Sequence, residues 1–473
     1  MRLLANWKRP KVAGRAAGRG AHIRGLMMTK VAQPTPTATG KLSGERYLVI
    51  STDTHAGPSL EHQLRDYCPK DYLDQFDQFV ATLNADRTRP VDGRDDALVG
   101  GNAHVRLTQA ARQNPNAPQW LKDAWKRSKE CPGLQDPVAR RADMDADGVA
   151  VDVIFAGGDN GETLPFTGLG IDAGSTEVPG ELKAVGGHIW NAWLADFISG
   201  APERHIGVMQ IPIWDVDAAV REVEWARNAG LKAVNLPAPR ADYPPYTDPI
   251  YEPLWAACEA HRVPLVTHSG GGEPALGLNG PLGRAVSAAE IHWLSRRGLW
   301  QLIFGGAFER HPDLKLVFTE QRVTWVPETL RDLDSVYASQ LHQEVRHLLP
   351  LRPSEYWATH CFLSGSFLAP FEAAARYEVG LPNLMWGTDY PHQEGTWPRT
   401  ELAMRNALAG IPESEVRMIL CENALAVYDI DEAAVRKIAA RIGPTPDQLS
   451  IKPAPGELPE HLGCAFREIG TYS

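Results

Sequence analysis

No run in the 473-residue sequence approaches the roughly 18 consecutive apolar residues that a membrane-crossing helix requires, so no membrane partner is expected. Basic residues are in the minority: 48 Lys and Arg stand against 58 Asp and Glu, a formal charge of −10. That balance argues against a nucleic-acid partner, whose phosphates attract cations. The six cysteines (Cys68, Cys131, Cys258, Cys361, Cys421 and Cys464) include no C-x-x-C pair, which removes zinc ribbons and dithiol redox motifs. Scattered in this way they read as reduced thiols, and a cytoplasmic enzyme is expected. Cys258 and Cys361 lie in apolar stretches and read as small core residues. The Gly-rich phosphate loops G-x-G-x-x-G and G-x-x-x-x-G-K-[ST] are missing after an early strand, which counts against an open nucleotide-binding sheet.

What is present is an ordinary globular composition, 43% hydrophobic and 22% charged, with 42 Gly and 37 Pro placed between apolar runs. That placement predicts many loops on a rigid scaffold. The first 30 residues are basic and no acid occurs before Glu45. Such a segment has the composition of an organelle transit peptide. Gly14, Gly18 and Gly20 make a poor amphipathic helix, so a start at Met27 or Met28 is preferred. Residues 1–45 are read as a flexible lead-in, 46–430 as the catalytic domain, and 431–473 as a tail that wraps the surface or a neighbouring subunit.

Eight apolar runs punctuate the middle of the chain: 47–52, 149–156, 205–212, 231–237, 263–269, 314–320, 360–367 and 383–389. They are rich in Val, Ile, Leu and Phe and mostly lack polar alternation, the signature of parallel strands buried on both faces. Helical patterns such as VDAAVREVEWARNAG separate most of them. Repeated β-then-α units imply right-handed crossovers, and eight of them close into a (β/α)8 barrel. Residues 60–134, between the first two strands, are charged and Pro-rich and predict a helical insertion. Loops 157–180 and 270–290 are Gly-rich and long enough to cover a site.

Polar residues end several of these strands. Asp53-Thr54-His55 follows the first, His268 ends the fifth, Glu320 the sixth and Asp389 the eighth. In a barrel all strand C-termini open on one face, where the active site lies. Residues i and i+2 share a strand face, so Asp53 and His55 can grip one ion together. Two imidazoles and two carboxylates with an open position suit Zn²⁺, and also Mn²⁺ or Fe²⁺. Such an ion can turn bound water into a nucleophile near neutral pH.

These segments resemble a known family. VISTDTHAGP (49–58), THSGGG (267–272), LIFGGAFERHPDLKLVFTEQRVTWVPETLRDLD (302–334) and MWGTDYPHQEGTWP (385–398) resemble the amidohydrolase-related group of the amidohydrolase superfamily, the branch that includes aminocarboxymuconate-semialdehyde decarboxylase. The resemblance implies that Asp53, His55, His268 and Asp389 are metal ligands, and that Asp389 can also accept a proton from water. Two departures stand out: D-x-H replaces H-x-H in the first strand, and Glu320 stands where the decarboxylases carry a catalytic His. Glu320 is therefore read as a general base or a ligand to a second ion, so one or two ions are expected. His392, in the loop after Asp389, is a candidate proton donor. Trp386 and Trp397 are candidate aromatic walls, and Arg322 a candidate clamp for a substrate carboxylate. The expected function is hydrolysis, by metal-activated water, of an amide, ester, thioester or activated C–C bond in a small substrate. Non-oxidative decarboxylation of an aromatic or unsaturated acid is the alternative, and a homodimer is expected.

Overall fold

Eight short strands follow one another around a barrel in strict sequence order. They are β1 (Ile50–Ala56), β2 (Val151–Ala156), β3 (His205–Met209), β4 (Ala233–Asn235), β5 (Leu265–His268), β6 (Leu316–Thr319), β7 (Cys361–Ser366) and β8 (Leu384–Gly387). Each pairs in parallel with the next. The ring closes where the Asp389 N–H donates to the Asp53 carbonyl at 2.9 Å and the His55 N–H to the Tyr390 carbonyl at 2.6 Å. The computed structural model describes residues 44–88, 116–158, 160–167, 178–270, 286, 289–290, 292–459 and 464–467. The predicted (β/α)8 architecture is what it shows, and no described helix is long and apolar enough to cross a membrane.

Strand alternation sorts the apolar residues into two layers. Ile50, Val151, Val153, Phe155, Val208, Val266, Val317 and Met385 fill the barrel interior. Their strand neighbours, such as Val49, Ile154, Leu265, Leu316 and Leu363, meet Trp190, Trp255 and Trp357 in a second layer beneath the helices. Burial on both faces explains why these runs lack polar alternation. The helix Glu432–Ile442, assigned above to the tail, contributes Val435, Ile438 and Ala439 to the interior layer. Its end is tied to the start of the barrel, because the Tyr47 N–H donates to the Pro444 carbonyl at 2.8 Å.

The main difference from expectation lies in β1, which runs to Ala56 and not to residue 52. Asp53 and His55 thus sit within the strand. A one-residue irregularity between Ser51 and Thr54 interrupts its register with β2. There the Ser51 hydroxyl stands in for the ladder, accepting the Thr388 N–H at 2.9 Å and donating to the Asp53 carbonyl at 2.9 Å. The insertion contains the helices Leu73–Thr88 and Gln119–Lys129, while 89–115 lie outside the described residues, as do 1–43, 168–177 and most of 271–291.

Candidate metal centre

The C-terminal mouth of the barrel brings four predicted ligands onto one small volume. His55 Nε2 lies 3.5 Å from Asp53 Oδ1 and 3.3 Å from Asp389 Oδ1. His268 Nε2 lies 3.6 Å from Asp53 Oδ1. All four residues are almost fully buried. The other ring nitrogen of each imidazole meets a backbone carbonyl: His55 Nδ1 that of Ala156 at 3.2 Å, His268 Nδ1 that of Ser269 at 2.8 Å. Donation through Nδ1–H leaves Nε2 with a lone pair, the arrangement typical of metal-bound histidine. Asp53 Oδ1, both Nε2 atoms and both Asp389 carboxylate oxygens are buried without a hydrogen bond. Five such polar atoms around one point are costly in a protein interior unless a cation joins them. Asp53, His55 and His268 place ligand atoms within 4.8 Å of one another, as do His55, Asp389 and His392. The donor set therefore fits a divalent ion. Phe155, from the barrel interior, lies beneath both imidazoles, 6.0 Å from the His55 ring and 5.0 Å from that of His268.

Charge in the metal-free cage is redistributed accordingly. Burial works against charging His268, but the close Asp53 carboxylate, with the Glu320 charge, holds it up at about 9. Burial likewise works against charging Asp53, and its two histidine neighbours override that and hold it well below the usual carboxylate range. The proton on His268 is the positive charge that a cation would replace.

Glu320 and His392 join the same mouth. Glu320 Oε2 lies 3.4 Å from His268 Nε2 and accepts a hydrogen bond from the Ser269 hydroxyl at 2.9 Å. Burial, then the charge of Asp389, pushes Glu320 up to about 7. His392 stacks on His55 with ring centroids 4.0 Å apart. Its Nε2 meets the Gly157 carbonyl at 2.9 Å and its Nδ1 faces Asp389 Oδ1 at 3.0 Å. Glu394, which sequence reasoning missed, brings a third carboxylate beside Glu320 and Asp389. Its signal was available: it lies two residues beyond His392 in the same loop. Glu320, Arg322 and Asp389 all have positive φ, 55°, 58° and 56°. Non-glycine residues rarely adopt this conformation, and where they do it concentrates at functional sites.

Supporting contacts fix the ligands from behind. The Ser366 hydroxyl, at the end of β7, donates to Asp53 Oδ2. Phe367 follows, and its carbonyl accepts from Arg467 Nη1 at 2.7 Å while Arg467 Nη2 pairs with the buried Glu372. The tail thus packs on its own barrel at this point. On the other side Asp136 caps the helix Pro137–Ala146, accepting the Val138 and Ala139 N–H groups, and so presents Arg140. Arg140 is fully buried. Its Nη1 donates to the His55 carbonyl at 2.7 Å, its Nη2 to the Thr54 hydroxyl at 2.6 Å and its Nε to Asp152 at 2.7 Å. Asp152 completes the network with His205 Nδ1 at 2.7 Å.

The remaining predicted residues separate. Trp386 is fully buried in the layer between barrel and helices, away from the cage. Strand alternation accounts for this: Met385 faces the interior, so Trp386 faces outward. Trp397 packs edge-on to Tyr390 at 5.2 Å, against Cys131 and Leu134. Arg322 lies on the turn after β6, where its carbonyl accepts from Trp325 Nε1 at 3.2 Å. Beside it are Arg296 and His292, neither of which the sequence marked. Burial, then the Arg322 charge, pushes Arg296 down to about 10. Burial, with the charges of Arg296 and Arg322, pushes His292 down to about 3.

No curated protein matches the chain. Among solved structures, it is similar to 5-carboxyvanillate decarboxylase from Sphingomonas paucimobilis (20% identity, TM-score 0.55, 81% of this chain and 99% of that one). A 5-carboxyvanillate decarboxylase from Novosphingobium aromaticivorans, complexed with manganese and 4-hydroxy-3-methoxy-5-nitrobenzoic acid, matches at 18% identity and TM-score 0.57 over 82% of this chain and 98% of that one. An amidohydrolase from Mycobacterium avium subsp. paratuberculosis matches at 20% identity and TM-score 0.54 over 80% of this chain and 99% of that one. At these identities the likeness is one of fold. The family model described as amidohydrolase matches residues 103–430, from the insertion through the segment after β8. The chain belongs to the amidohydrolase family.

Proposed function

We propose that the protein is a metal-dependent carboxy-lyase that removes CO2 from an aromatic or unsaturated carboxylic acid without oxidation. One observation carries this reading: a half-buried carboxyl group, Glu320, stands against the cage formed by Asp53, His55, His268 and Asp389. Loss of CO2 breaks a C–C bond and leaves its electron pair on carbon, which must then take a proton. Glu320 is placed to deliver that proton, and solvent restores it. Its burial among carboxylates favours the protonated form, which suits a donor to carbon better than a base toward water. A divalent cation in the cage would supply Lewis acidity toward the substrate's acid group. His392, pinned between Gly157 and Asp389, keeps the Asp389 carboxylate oriented. The decarboxylases of similar fold support the reading, and manganese in one of them makes Mn²⁺ the first ion to test, ahead of Zn²⁺ and Fe²⁺.

Hydrolysis by metal-activated water is the second reading. It is favoured by Glu320 itself, a carboxylate where the decarboxylase branch carries a histidine. Isotopes separate the two. Manganese-loaded protein is incubated with a panel of hydroxybenzoic acids in D2O, and with amides and esters in ¹⁸O-water. The lyase reading expects CO2 and one deuterium on the carbon that lost it. Oxygen-18 in a product acid, with no CO2 from any member of the panel, overturns it. Under either reading Asp53→Asn or chelation lowers the rate by at least about 100-fold.

A further inference from the structure

Asp53 divides its carboxylate between two tasks. Oδ1 faces the two imidazoles of the cage, and Oδ2 accepts the Ser366 hydroxyl. The residue after Ser366 is strained: Phe367 has a φ of 41°, a left-handed backbone that a bulky side chain seldom adopts. Such a conformation persists only where its surroundings impose it. The Phe367 N–H donates to the Gly387 carbonyl on β8 at 2.9 Å, and the Phe367 carbonyl accepts from Arg467 Nη1 at 2.7 Å. The same guanidinium lies over the Phe367 ring, 5.0 Å from the centroid, and its Nη2 pairs with Glu372. Glu372 in turn accepts the Ala369 N–H at 3.1 Å, so Arg467 grips this turn at both ends. Both charged side chains are 1% exposed, and Ala465 and Phe466 sit in the layer beneath the helices. Arg467 lies outside the stretch, 103–430, that carries the family likeness.

We propose that Arg467 is a positioning residue for the metal ligand Asp53, and that docking of the C-terminal tail and binding of the cation reinforce each other. A forked guanidinium holds a carbonyl and a carboxylate at once, whereas an ammonium offers a point charge. With Arg467 in place, Phe367 keeps its left-handed turn and the Ser366 hydroxyl stays aimed at Oδ2. Asp53 is then oriented in advance, with Oδ1 turned toward the ion. Without Arg467 the turn relaxes, Ser366 leaves Oδ2, and the carboxylate must be ordered at the moment of binding. Linkage makes the relation reciprocal: whatever factor the docked tail adds to cation affinity, the bound cation adds to docking.

The proposal rests on the cage being a cation site, and metal binding tests it apart from turnover. Manganese is titrated calorimetrically into metal-free, full-length wild type and variants, and the melting temperature of each is measured. Arg467→Met is expected to weaken manganese binding by about tenfold, and Arg467→Lys by less. Added to Ser366→Ala, Arg467→Met should lower the affinity little further, because both act through one hydrogen bond to Asp53. Affinity within about twofold of wild type in Arg467→Met overturns the proposal, as do losses that multiply in the double variant. An arginine that only stabilises the fold would give one of those results with a lower melting temperature. If Arg467→Met does not fold, hydrogen exchange in the wild type decides. Saturating manganese should slow exchange of the amides at 464–467 by about tenfold, and unchanged exchange overturns the proposal. A wild type that binds no manganese sinks the cage reading as well, whereas binding that ignores Arg467 sinks this proposal alone.

Discussion

Two buried polar clusters meet along β1, and they are built on opposite terms. In the cluster of Arg140, Asp152 and His205, the guanidinium donates from all three nitrogens and both Asp152 oxygens accept. At the mouth, Asp53, His55, His268 and Asp389 leave five buried polar atoms without a hydrogen bond. The first cluster lacks a partner only at His205 Nε2. The second is complete only with a guest. A satisfied network rigidifies the strand ends, and an unsatisfied one stores binding free energy for an ion. The contrast separates support from function without reference to sequence similarity.

Removing a member should therefore act in opposite directions in the two clusters. The largest effect is expected for Arg140→Met, which leaves Asp152 as a buried charge with only His205 and the Thr54 hydroxyl. Denaturant unfolding should show a loss of about 3–5 kcal/mol, and equal stability of variant and wild type would mean that the network is dispensable. Glu320→Gln should do the reverse in metal-free protein. Its carboxyl is raised from 4.5 to about 7, mainly by burial, so the folded state holds the proton more tightly. That stabilisation is present in full below about pH 4.5 and is lost as pH rises through about 7. Above that, the variant should be more stable than wild type by ~1–3 kcal/mol, and its stability should vary less between pH 4.5 and 7. A variant as pH-sensitive as the wild type would show that Glu320 is not the titrating group. The smallest effect is expected for Ser366→Ala, which removes the hydroxyl behind Asp53. Manganese affinity should fall about tenfold with little change in folding stability, and an unchanged affinity would remove Ser366 from the site's support.

Much of the mouth was legible because each ligand ends an apolar run. A polar residue at the close of a buried strand has few reasons to be there, and Asp53, His55, His268, Glu320 and Asp389 all stand in that position. The supporting groups were not legible in the same way. Arg140 meets β1 across 85 residues of sequence, and Arg467 meets Phe367 across 100. No periodicity encodes such pairings. Nothing in the sequence marked Arg296 or His292, because the turn that gathers them depends on left-handed backbone at Glu320 and Arg322. Trp386 was placed by its nearness to Asp389 in sequence. The alternation of β8 would have turned it outward, since it lies an odd number of residues from that ligand. The extent of β1 was underestimated because Thr52 to His55 looks polar, whereas pairing with β2 resumes at Thr54 after the irregularity and runs on to Ala56.

The left-handed residues at 320, 322 and 389 also bear on how this protein can be changed. Each holds its chain in a shape that glycine or asparagine would adopt at lower cost. A selection for heat resistance alone would thus be drawn to these positions early, and every gain there would discard a charged group at the mouth of the barrel. Screens for a sturdier form are best run with manganese retention scored alongside, so that durability is not won by erasing the site.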